Sequence, residues 1–195
     1  MRLFVALLLD TSLQEIVAET IRTLRRLDPS SQVRWVDPGG VHLTLKFLGE
    51  VPETRVPALE GGLDGAVRGR PVPLVALTGL GAFPNARRPR VLWMGLEETG
   101  SALAELQVAI EAAAESLGWE REKRAFQPHL TLGRVREDRG GASRALPPAL
   151  LQAIAPAASE ARTPRPQARV ALMRSHLSPR GAHYEERRVW ELRTD

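Results

Sequence analysis

The string His-Leu-Thr-Leu occurs twice, at His42-Leu43-Thr44-Leu45 and at His129-Leu130-Thr131-Leu132, 87 positions apart in a chain with only four histidines. Side chains alternate along an extended strand, so each copy sets its His and Thr on one face and its leucines on the other. The leucines suit a core, and the His and Thr suit a shared surface. Imidazole ordinarily titrates near ~6.5, so one ring can act as base while the other supplies a proton. Two such rings backed by hydroxyl donors fit acid–base chemistry at an anionic centre.

Other uses of the same residues fit less well. Catalytic zinc sites take three protein ligands, yet no Asp or Glu adjoins either His and no His-Glu-x-x-His helix is present. No metal is therefore expected. His176 and His183 flank a Ser-Pro-Arg-Gly turn and read as hairpin positions. The chain lacks a Gly-x-Ser-x-Gly elbow, a phosphate-binding GxxxxGK[ST] loop and a GxGxxG fingerprint. It also contains no Cys, which removes thiolate chemistry and disulfides. What survives is metal-free attack on a phosphodiester: one His takes a proton from water and the other protonates the departing oxygen. Thr44 and Thr131 supply donors for the charge on phosphorus.

The remaining composition sets bounds. A chain of 195 residues, 43 % hydrophobic and 26 % charged, can bury a core as one soluble domain. Of its 27 cationic residues only Lys46 and Lys123 are lysines, and the net charge is +4. Arginine's planar fork suits phosphate and nucleic acid. The apolar run Leu3–Leu9 ends at Asp10 without a cleavage signal and reads as a buried strand, so a cytoplasmic, non-membrane protein is expected.

Strands are predicted over 2–9, 33–36, 41–48, 72–80, 90–96, 129–135, 168–176 and 183–192. Helices are predicted over 12–27 with a Thr11-Ser12 cap, over 53–67 despite three glycines, over 101–117, and over 148–154 within an Arg/Gly/Pro/Ala-rich stretch from Arg136 to Pro166. One His-x-Thr strand in each half of this order predicts a single α+β domain over 1–195. It would be a bilobal, duplicated fold in which two antiparallel sheets with outer helices surround a central groove. Lys46 shares parity with His42 and Thr44 and is an anion-contact candidate, whereas Phe47 falls with the leucines and reads as core. Arg87, Arg88, Arg90 and Arg180 are candidates to guide an RNA end, and Tyr184 and Trp35 candidates to stack a base.

The paired His-x-Thr motifs are accompanied by Val33-Arg34-Trp35-Val36, VHLTLKFLGEV, FPNARRPRVLWMG, PHLTLGRV and RSHLSPRGAHYE. Together they resemble the two-histidine phosphoesterase superfamily, and within it the RNA 2',3'-cyclic phosphodiesterases, historically called 2'-5' RNA ligases. The resemblance spans nearly the whole chain except 136–166. It implies hydrolysis of RNA 2',3'-cyclic phosphate ends to 2'-phosphates; no cofactor is expected, and a monomer is expected. It also implies His42 as proton donor and His129 as proton acceptor, roles that two identical motifs cannot separate on their own. Finally, it implies Arg134 as a substrate contact. Plain alternation puts Arg134 on the face opposite His129, so the carry-over requires a bulge or a strand end near Gly133. Three readings remain beside this one: ligation by the reverse reaction, a small cyclic nucleotide or 2'-5'-linked substrate, and a non-catalytic RNA-binding module.

Overall fold

The computed structural model describes residues 1–138, 140–141, 143–154, 163–178 and 181–194. The first strand, β1 (Arg2–Leu8), is buried on both faces from Leu3 to Leu7. Leu3, Val5 and Leu7 join the main core, while Phe4 and Ala6 join a small apolar cluster on the other face. Helix α1 (Thr11–Arg26) buries Leu13, Val17, Ile21 and Leu24, a stripe at helical spacing. Its cap is Asp10 rather than the expected Thr11-Ser12. The Asp10 carboxylate accepts from the Leu13 amide at 2.8 Å, satisfying a backbone donor that the first turn leaves open.

Then come β2 (Val33–Trp35), β3 (His42–Glu50), α2 (Val56–Val67), β4 (Leu74–Phe83), β5 (Val91–Thr99), α3 (Ala102–Ser116) and β6 (His129–Val135). The chain continues through α4 (Pro148–Ala153), β7 (Arg165–Pro166), β8 (Arg169–Ser178) and β9 (Gly181–Glu191). A 3-10 turn, Glu53–Arg55, replaces the first turn expected of α2. The helix tolerates Gly62 because Leu117 packs there: a Cβ at Gly62 would lie 2.8 Å from the Leu117 Cδ1. No helix among the described residues is long and apolar enough to cross a membrane.

The architecture is mixed α/β around a curled antiparallel sheet. Two separate sheets were expected; instead all strands of the described residues belong to one, in the order β7-β4-β5-β6-β3-β1-β8-β9, with β2 also pairing β6. The ladder stays continuous because the two His-bearing strands meet at one residue pair, Leu43 opposite Leu130. The halves also exchange partners. Strand β1 pairs with β8 from the far end of the chain, and β6 pairs with β2 from the near end.

The register around the two His strands repeats residue for residue. Opposite β1, Leu8 faces His42, Leu7 faces Leu43 and Ala6 faces Thr44; the ladder then skips Leu45, and Val5 faces Lys46. Opposite β5, Gly95 faces His129, Met94 faces Leu130 and Trp93 faces Thr131; the ladder then skips Leu132, and Leu92 faces Gly133. Every position in one His strand lies 87 residues from its counterpart in the other. Both strands therefore carry a β-bulge just after the His-x-Thr, and an extra residue there reverses which side chains face the groove. Leu45 and Lys46 are consecutively buried, as are Leu132 and Gly133.

Candidate active site

Each histidine is held in the same way. The Nδ1 of His42 lies 2.8 Å from the Gly40 carbonyl oxygen, and the Nδ1 of His129 lies 2.7 Å from that of Gln127, two residues upstream in both cases. A carbonyl can only accept, so Nδ1 carries hydrogen and Nε2 is left to give or take a proton. The local sequence makes this possible: a 3-10 turn at Pro38–Gly40 leads into His42, and Gln127-Pro128 leads into His129. A Cβ at Gly40 would lie 3.4 Å from the Tyr184 ring, so glycine lets Tyr184 close in.

The surroundings of the two rings differ. His42 stacks on Phe4, centroids 4.7 Å apart and planes 25° from parallel, and meets the edge of Tyr184 at 5.0 Å. Burial among these rings lowers its pKa below the ordinary 6.5, opposed by the Gly40 carbonyl, which favours the charged ring. His129 meets Phe83 edge-on at 5.0 Å.

A cavity of about 290 Å³ opens beside His42, lined among others by Thr44, Thr131, Arg134, Phe47, Tyr184 and Arg2. His129 is not part of its wall. It stands two residues before Thr131 on β6, and counting outward from the Leu43–Leu130 pair sets Thr44 opposite His129 and His42 opposite Thr131. Arg134 lines the cavity, and of the bulge or strand end expected near Gly133 the ladder shows the bulge, at Leu132.

Lys46 does not reach it, which corrects its assignment as an anion contact. Its side chain is 5 % exposed, with Nζ 2.7 Å from the Glu111 carboxylate on α3 and 2.6 Å from the Glu120 carbonyl. Phe47, expected in the core, is 66 % exposed and lines the cavity instead. One cause explains both: the bulge at Leu45 reverses strand parity, so Lys46 turns inward and Phe47 outward.

Arg87, Arg88 and Arg90 lie in the β4–β5 loop, outside the cavity wall, and Arg180 lies outside the described residues. Trp35 is half-buried against the core, with its indole ring near Gly133, and does not line the cavity. His176 and His183 pair across the β8–β9 hairpin, one register step from Ser175 and Tyr184 and hence on the other face; His176 Nε2 lies 2.9 Å from Glu185. Among the described residues no group of three or more His, Asp or Glu is placed to hold a metal. Arg2 and Phe4 escaped the sequence reading, although their alternation along β1 marks a shared face.

Comparison with known proteins gives the family. A family model described as LigT like Phosphoesterase matches residues 7–93 and 95–184, two stretches with one His-Leu-Thr-Leu copy each. The chain is 32 % identical over 191 residues to an RNA 2',3'-cyclic phosphodiesterase of Methanothermobacter thermautotrophicus, covering 98 % of both. It is 35 % identical over 191 residues to one of Archaeoglobus fulgidus, covering 98 % of this chain and all of that protein. Among solved structures, TT0787 of Thermus thermophilus superposes with a TM-score of 0.76 at 28 % identity over 98 % of this chain and 97 % of that one. E. coli LigT complexed with 3'-AMP does so with 0.75 at 26 % identity over 99 % and 98 %. Doubled His-x-Thr strands in matching register, and similarity along nearly the full length, establish that the chain belongs to the LigT-like phosphoesterase family.

Proposed function

We propose that this protein hydrolyses 2',3'-cyclic phosphate ends of RNA to 2'-phosphates by metal-independent acid–base catalysis. The observation that carries the reading is the doubled anchoring: two imidazoles, each fixed through Nδ1 by the carbonyl two residues upstream, each followed by a threonine on the same face. In an ideal ladder diagonal cross-strand neighbours lie roughly 7–8 Å apart, a spacing that admits a phosphate between two rings. Relatives along nearly the whole chain carry the name RNA 2',3'-cyclic phosphodiesterase.

In this mechanism His129 Nε2 takes a proton from water, and the resulting hydroxide attacks phosphorus. The bond from phosphorus to the ribose 3' oxygen breaks, and His42 Nε2 protonates that oxygen. The 2' linkage survives as a phosphomonoester. Thr44 and Thr131 donate to the phosphoryl oxygens, and Arg134 offsets their charge. The free His42 leans neutral because it is buried, and an arriving phosphodiester anion favours its protonation, so substrate binding recruits the proton that catalysis later delivers. Phe47 offers an exposed ring for the terminal base.

The same reading takes the fold as a duplicated strand–helix–strand unit, β1-α1-β3 and β5-α3-β6, within one bilobal domain working as a cytoplasmic monomer. His42→Ala and His129→Ala should each lower kcat on a cyclic-phosphate RNA end by about 10²–10⁴, with EDTA without effect. Full activity in either variant removes that residue from the mechanism, and loss of activity in EDTA removes its metal independence.

A further inference from the structure

A second hollow, of about 400 Å³, adjoins the first and is lined by Arg34, Arg134, Arg136, Arg144 and Glu137. Arg134 belongs to both, so the basic surface runs out of the reacting groove without interruption. Arg34 and Arg134 are direct cross-strand partners, and like charges placed opposite one another are destabilising unless something lies between them. Arg136 is positioned by its Nε, which donates to the Ser31 carbonyl at 3.0 Å, and the Arg144 amide bonds the Arg136 carbonyl at 2.9 Å. None of these four arginines has a carboxylate within 4.0 Å among the described residues. Elsewhere Arg68, Arg124 and Arg188 each do.

Four guanidinium groups gathered with one carboxylate, Glu137, in the same lining and none in ion-pair range of them among the described residues, continuous with a site for a phosphodiester, describe a track for further phosphates. Each planar fork can hold two phosphate oxygens at once. Resting on the proposed reaction, we infer that Arg34, Arg136 and Arg144 bind backbone phosphates of the single strand leading away from the reacting nucleotide. The substrate class is thereby an RNA chain rather than a mononucleotide.

The test compares the unmodified protein with the double variant Arg34→Gln/Arg144→Gln, leaving Arg134 in place. Affinity for a labelled single-stranded oligoribonucleotide ending in a 2'-phosphate is measured by fluorescence anisotropy across salt, with a 2'-phosphate mononucleotide as competitor. Each phosphate neutralised on a single strand contributes about 0.7 to the slope of log K against log salt, so the variant should lose about 1.4. At low salt its oligonucleotide affinity should fall roughly tenfold relative to that for the mononucleotide. Arg34→Lys/Arg144→Lys should restore the slope, which separates charge from folding. An unchanged slope, or parallel weakening of both ligands, overturns the inference. Turnover of a cyclic-ended oligonucleotide is read alongside: binding with these slopes but no hydrolysis by the unmodified protein would refute the proposed reaction and leave the phosphate track standing.

Discussion

Replacing Lys46 by Met removes one half of a buried ion pair while keeping most of the side-chain volume. The Glu111 carboxylate, 5 % exposed, would then keep only long contacts, at 3.4 Å from the Gln107 side chain and 3.4 Å from the Glu122 amide. Leaving one buried charge without its partner costs about 3–5 kcal/mol. With a urea slope of about 2 kcal/mol/M, the unfolding midpoint should fall by roughly 1.5–2.5 M. The double variant Lys46→Met/Glu111→Leu removes both charges and should regain most of that loss, because an apolar pair avoids the desolvation that the ion pair requires. Hydrolysis measured well below the melting temperature should stay within about twofold of the unmodified protein in both variants, since Lys46 faces α3 rather than the groove. Two results would refute the reasoning: a double variant no more stable than Lys46→Met, or a folded Lys46→Met that has lost most of its kcat/KM. The second would return Lys46 to substrate binding.

Burial lowers the His42 pKa, and the proposed acid must be protonated, so kcat/KM should decline as pH rises through a value below 6.5. In kcat the same limb should lie higher, because bound substrate favours the charged ring; a kcat/KM limb well above 6.5 would assign the acid elsewhere. Phe47→Ala should weaken RNA binding by about 1–3 kcal/mol in an anisotropy titration and barely change the melting temperature, as the ring is 66 % exposed. Gly133→Ala places a Cβ 2.5 Å from Val33 and 3.2 Å from Trp35, both in β2. It should cost about 1–3 kcal/mol by denaturant unfolding and lower kcat/KM by displacing Arg134.

Most elements were legible because their causes are local. The stripe Leu13, Val17, Ile21, Leu24 marks α1 by its spacing, and the apolar run after Arg2 marks a strand buried on both faces. The bulge near Gly133 was foreseeable because a glycine flags it, whereas the identical bulge at Leu45 carries no glycine, and plain alternation there exchanged the places of Lys46 and Phe47. Transferring the requirement from one His-Leu-Thr-Leu copy to the other would have found it. The single sheet was not legible, since it depends on Leu43 meeting Leu130 across 87 residues, a contact that no local pattern encodes. The arginine hollow escaped for the same reason: Arg34 and Arg134 are neighbours only across the ladder.

The exchange of strands between the halves bears on how the chain assembles during synthesis. Ala6 pairs with Ala171, so a strand made first waits for one made near the end, and until then its hydrogen-bonding edge stays open. Contacts of such sequence separation slow folding, because a long loop must close before any pairing energy is gained. Translation that stalls after α3 would therefore release an N-terminal fragment with an unsatisfied apolar strand, prone to associate with its own copies.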